Sequence, residues 1–116
     1  MTTRQERVRE LVKIEVSKIL QMEIKDPRLG FVTVTDAEVS KDLGHAKIFV
    51  SVFGDDEQKR KSMTALESAA SYVRGELGRR VTMKAIPEIS FHLDTSIEHG
   101  ARIFELLRQI EHESEE

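Results

Sequence analysis

The side chains of this 116-residue chain best equipped to do chemistry are cations. Arg74, Arg79, Arg80 and Lys84 crowd into RGELGRRVTMK. Arg4 and Arg7 stand near the start, Lys25 and Arg28 fall in KDPRLG, and Lys47 lies in HAKIFVSVF. Lys59-Arg60-Lys61 follow an acidic turn. Such side chains reach phosphate oxygens, and those contacts give affinity with little sequence readout. Their competing use is a solvated surface with scattered ion pairs, each contributing little.

Catalytic patterns are sparse by comparison. His45, His92, His99 and His112 share no metal-ligand spacing, and neither H-x-x-x-H nor G-x-x-x-x-G-K-[ST] occurs. There is no cysteine, which excludes a disulfide frame or a cysteine-based zinc site. Asp55-Asp56-Glu57 reads as helix capping rather than a cation site, and Ser90 and Ser96 have no evident His–Asp partners. Gly75-Glu76-Leu77-Gly78 spells the Gly-x-x-Gly of a phosphate-clamping loop. It sits in a helical apolar register, however, and Glu76 repels phosphate. Stacking has few candidates: Tyr72 is the sole tyrosine and tryptophan is absent. Phe91 and Phe104 fit a core. Phe49 and Phe53 fall on the other sheet face, where a terminal helix is expected to cover them. No metal and no cofactor is expected.

Length and composition indicate one domain able to build its own core. The charged opening MTTRQERVRELVK predicts no secretory signal, and no apolar run reaches membrane-spanning length, so a soluble cytoplasmic protein is expected. Formal net charge is −3, but four of the 21 acidic residues lie in the final EHESEE. Setting these aside leaves 17 acidic against 18 basic side chains, so an RNA face must come from local clustering. Residues 1–110 are read as the folded domain and 111–116 as a solvated acidic tail.

The positioning elements follow from periodicity. Val8, Leu11, Val12, Val16, Ile19 and Met22 form one helical stripe, with Glu15 inside it as a carboxylate awaiting an Arg partner or solvent. Asp26-Pro27 ends this helix, and Gly30 lets the chain turn into a strand. Phe31–Val39 alternates, then shifts parity near Asp36, which predicts a bulge. His45–Phe53 alternates cleanly, and the short SKDLG link predicts an antiparallel hairpin. A helical region follows Asp55 with a small-residue patch, Ser68-Ala69-Ala70-Ser71, where it is expected to break into two helices. EISFHL is a third strand. Asp94-Thr95-Ser96, with Thr95-x-x-Glu98 as a capping box, opens a last helix through Ile97, Ala101, Phe104 and Leu107. The order is α-β-β-α-α-β-α. A crossover makes the second and third strands parallel, so the class is α+β: a three-stranded mixed sheet with helices packed on one face.

The stretch KDPRLGFVTVTDAEVSKDLGHAKIFVSVFGDDEQK, with LESAASYVRGELGRR and IPEISFHLDTSIEHGARIFELL, resembles the ribosome-binding factor A family of bacteria from about Arg7 to Leu107. The resemblance implies a type II KH-like RNA-binding domain. It implies a non-enzymatic assembly factor that binds the free 30S subunit and assists late 16S rRNA maturation near the 5′ end, with a tie to cold adaptation. The partner would be 16S rRNA, with no DNA, no membrane and a monomeric state. Family members bend two helices at an Ala-x-Gly junction. Ala69-Ala70-Ser71 match it here, with serine in place of glycine, and a serine can bond back to a helix carbonyl and favour a bend. Arg28 and Arg79-Arg80, beside family-like motifs, are favoured as RNA contacts. The rival reading is a protein–protein adaptor or ligand-sensing domain using its sheet face, which the near-neutral charge favours.

Overall fold

The computed structural model describes residues 3–96 and 105–110. Helix α1 spans Arg4–Met22 and starts from a capping box at Thr3 and Glu6. The Thr3 hydroxyl accepts from the Glu6 N–H at 3.1 Å, and the Glu6 carboxylate accepts from the Thr3 N–H at 3.3 Å. Val12, Val16, Ile19 and Leu20 are buried along it. The apolar stripe is narrower than its sequence suggests: Leu11 is only partly covered, and Met22, the last residue of the helix, is 73% exposed.

Strands β1 (Val32–Val39) and β2 (His45–Val52) form the antiparallel hairpin, with a register shift between Val34 and Asp36. Thr35 is the extra residue, so the parity change in the sequence is a bulge. At the hairpin tip, the Asp42 carboxylate accepts from the Ser40 hydroxyl at 2.7 Å and from the Gly44 N–H at 2.9 Å. These bonds hold Asp42 below the usual carboxylate range and fold the loop around Leu43, whose φ is 60°.

Helix α2 runs unbroken over Asp56–Arg80, 25 residues, capped by Asp55, whose carboxylate accepts from the Gln58 N–H at 2.8 Å. The expected division into two helices at Ala69-Ala70-Ser71 does not occur. None of these residues is Pro or Gly, and both alanines pack against the core, so nothing forces the hydrogen-bond ladder open. The serine that bonds back to a carbonyl is Ser68, onto Thr64 at 3.1 Å.

Strand β3 (Glu88–Leu93) pairs parallel with β2, giving the order β1-β2-β3. The α+β class and three-stranded mixed sheet are therefore those expected. Ala46, Ile48, Val50 and Val52 of β2, with Ile89 and Phe91 of β3, face the buried residues of α1 and of α2, notably Leu66, Val73 and Leu77. Both helices cover this one face. The intervening residues of β2 and β3 form a second face that neither helix covers. Residues 105–110 are helical, whereas Ile97, Ala101 and Phe104 of the expected last helix, Glu98 of its capping box and the acidic tail lie outside the described residues.

Candidate nucleic-acid interface

The KDPRLG corner is built around its own ion pair. The Arg28 guanidinium donates to the Asp26 carboxylate through Nε at 3.1 Å and Nη2 at 2.7 Å, and the Arg28 N–H adds a bond at 2.9 Å. The Arg28 side chain first, then its backbone, holds Asp26 down to about 2. A buried hydroxyl ties this corner to α2: Ser62 Oγ accepts from the Gly30 N–H at 3.1 Å and lies 3.4 Å from the Arg28 carbonyl. A Cβ at Gly30 would come within 2.6 Å of Gln58 Nε2, which bonds this same Ser62 hydroxyl. Arg28 is thus largely neutralised within the turn, and Lys25 makes no ion pair among the described residues.

The second half of α2 divides its arginines. Arg74 donates to the Ile86 carbonyl at 3.0 Å. Arg79 pairs with Glu76 at 2.6 Å, one turn back, yet its side chain stays 79% exposed. Arg80 turns the other way and bridges to α1: it bonds the Glu23 carboxylate and approaches Glu15 at 3.9 Å. Tyr72 also donates to Glu23, at 3.2 Å. Glu15, the carboxylate in the apolar stripe, thus finds its Arg partner, along with Lys18 at 3.6 Å. Gly75-Glu76-Leu77-Gly78 lies within the helix, so it is no clamp loop. Gly78 has a packing reason instead, since a Cβ there would press on the Ile86 side chain at 3.3 Å.

The loop 81–87 gathers several cations. Arg4 and Lys84 line one depression of about 510 Å³ with Asp42, Leu43 and Thr82. Arg74 borders another of about 400 Å³ with Ser71, Gly75, Gly78 and Ile86. Arg4, Lys84 and Arg7 are exposed and make no ion pair among the described residues. Lys47 stands apart, on the sheet face away from α1 and α2, opposite Glu38. The nine cations therefore form no single patch: Arg4, Arg74, Arg79 and Lys84 border the loop 81–87 and the end of α2, Lys25 and Arg28 hold the corner, Arg80 lies between α1 and α2, Arg7 is exposed in the first turn of α1, and Lys47 is isolated.

Other features escape sequence reasoning. Arg9 pairs with Asp36 at 2.6 Å, and that bond holds the Asp36 carboxyl low. The Gln5 amide donates to the Val39 carbonyl at the sheet edge. Phe53 is 81% exposed and Phe31 is 83% exposed, so the expectation that a terminal helix covers Phe53 is not met. The alternation that assigned Phe53 to this face carries no information on what covers it. Among the described residues, no group of three or more His, Asp or Glu side chains forms a metal-binding cluster. No helix among them is long and apolar enough to cross a membrane.

A family model described as ribosome-binding factor A matches residues 4–107. The chain is 53% identical over 112 residues to ribosome-binding factor A of Desulfitobacterium hafniense, covering 97% of this chain and 90% of that protein. It is 52% identical over 112 residues to the Halothermothrix orenii protein of the same name, covering 97% of this chain and 92% of that protein. The crystal structure of ribosome-binding factor A from Thermus thermophilus superposes with a TM-score of 0.69 at 25% identity, over 78% of this chain and 97% of that one. A homology model of the Thermus thermophilus factor, fitted into a cryo-EM map of a 30S complex, superposes with a TM-score of 0.63 at 28% identity, over 75% of this chain and 91% of that one. The chain belongs to the ribosome-binding factor A family.

Proposed function

We propose that this chain binds 16S rRNA of the free 30S subunit late in assembly and assists maturation near the 5′ end, including at low temperature. It acts as a KH-like monomer in the cytoplasm, by binding rather than by catalysis. It needs no cofactor and engages neither DNA nor membrane. The observation that carries this reading is the set of cations bordering the loop 81–87. Arg4 and Lys84 share one depression, Arg74 hydrogen-bonds the loop, and Arg79 extends into solvent beside it. Phosphates held there release counterions, so binding falls steeply with salt. Family membership and the 30S complex of the Thermus thermophilus relative support the choice of subunit.

Co-sedimentation with purified 30S subunits across a salt series tests the reading. The parent chain should pellet with subunits at low salt. Arg79→Glu with Lys84→Glu should lower affinity at least tenfold and reduce the salt slope. Retention of parental affinity by this variant would refute the phosphate edge and leave the adaptor reading. The maturation role is tested by depleting the protein in cold-grown cells, where unprocessed 16S precursor should accumulate.

A further inference from the structure

We infer that the sheet face opposite α1 and α2 is a second RNA surface, one that takes unpaired nucleotides by stacking. The inference rests on the rRNA-binding reading above but places a distinct contact away from the loop 81–87. The Phe53 N–H donates to the Phe31 carbonyl at 3.0 Å, which makes the two residues a cross-strand pair one step beyond Val32 and Val52. Val52 is buried in the core, so alternation turns Phe53 and Phe31 to that face. Both rings are more than four-fifths exposed, at 81% and 83%.

Further along β2 the same face carries Phe49, whose ring lies 5.8 Å from that of His92 at a 40° tilt. Lys47 comes next, exposed and opposite Ser90. Ser90 Oγ stands 2.9 Å from His45 Nε2 and 2.9 Å from His92 Nε2. One hydroxyl has a single proton to give. With both rings neutral, it donates to one imidazole and accepts from the other, which sets opposite tautomers. Among the described residues neither Nδ1 has a protein partner, so one is left as a donor and the other as an acceptor. From Phe53 to His45 the strand spans roughly 26 Å. Stacking rings lie at one end, and hydrogen-bonding groups suited to base edges lie at the other.

This chemistry fits single-stranded RNA. Paired bases offer no face to stack on, which excludes a duplex. The aromatic residues are interrupted by Thr33 and Ser51, which suits a dry protein interface poorly. The β1 edge is closed to an added strand near its end, because the Gln5 amide occupies the Val39 carbonyl. Glu38 lies opposite Lys47 and Glu88 opposite His45, and Asp94 closes the far end of β3 with its carboxylate bonded to Thr35 and Ser96. These carboxylates limit phosphate attraction, so binding here depends weakly on salt, unlike binding at the loop 81–87.

The test uses the full chain and a fluorescein-labelled octauridine, with a blunt RNA duplex as control and subunit co-sedimentation in parallel. The parent should bind the octauridine with a shallow salt slope. Phe31→Ala with Phe53→Ala should weaken that binding at least tenfold while leaving the melting temperature unchanged. Arg79→Glu with Lys84→Glu should leave octauridine binding near parental at high salt, where the cationic edge is screened. Equal octauridine binding by parent and double-Phe variant would overturn the inference. So would a double-Phe variant whose only losses are self-association or protein capture. Should the parent bind octauridine through these rings yet ignore subunits, the proposed function fails and the surface stands.

Discussion

Arg79 and Arg80 are neighbours in sequence and opposites in use. Arg80 reaches back across the seam between α1 and α2, where Glu23 and Glu15 receive it. Arg79 leans on Glu76 of its own helix and leaves most of its side chain in water. The seam consumes charge to hold two helices together, whereas the edge beside the loop 81–87 leaves charge available to a partner. Arg28 belongs with the seam, since Asp26 claims it, and Lys84 belongs with the edge. A basic residue near a family motif is therefore no guide to RNA contact until its carboxylate partners are known.

The sharpest way to break this division is at the joint that supports the paired corner. Ser62→Ala leaves the Gly30 N–H without its acceptor in a partly buried site, and should cost about 1–3 kcal/mol of stability in urea unfolding. A loss below a few tenths would mean the corner is held by something else. Next comes the seam: Arg80→Ala should cost about 0.5–1 kcal/mol, because its pairs are partly exposed. Arg79→Ala should stay within about 0.5 kcal/mol of the parent. Equal costs for the two would erase the contrast.

A smaller effect is expected from acid. Arg28 lowers the Asp26 carboxyl from 3.8 to about 2, so its contribution to folding is complete above pH 3.8 and is lost as pH falls through about 2. Asp26→Asn should flatten the stability profile in that window, and a profile identical to the parent's would remove the clasp as its source. The smallest change should follow deletion of residues 111–116, which raises affinity for unrelated RNA about two- to threefold if the tail competes for the cationic edge. Unaltered binding in a filter assay would dismiss that competition.

Much of the architecture was legible because it rests on local pattern. The parity shift near Asp36 announced the bulge, and the alternation of His45–Phe53 assigned each residue to a face. The helix continues through Ala69-Ala70-Ser71 because small residues allow a bend without causing one. Thr3-x-x-Glu6 carries the capping-box spacing that starts α1. The candidate site was far less legible. Arg80 and its partner Glu23 are 57 positions apart, and only the fold brings them together. The exposure of Phe53 was equally hidden, since a strand's period shows which side a ring takes and not whether a helix lies over it.

The unbroken α2 also makes the molecule a gauge of fixed length. A helix of 25 residues extends roughly 37 Å. Ser62 fastens the Lys25 corner and Ile86 fastens the loop 81–87 to Arg74, two points roughly 18 Å apart along that helix. Because the helix is continuous between them, these two anchors keep a set separation, so a partner that engages both must present its groups at that spacing.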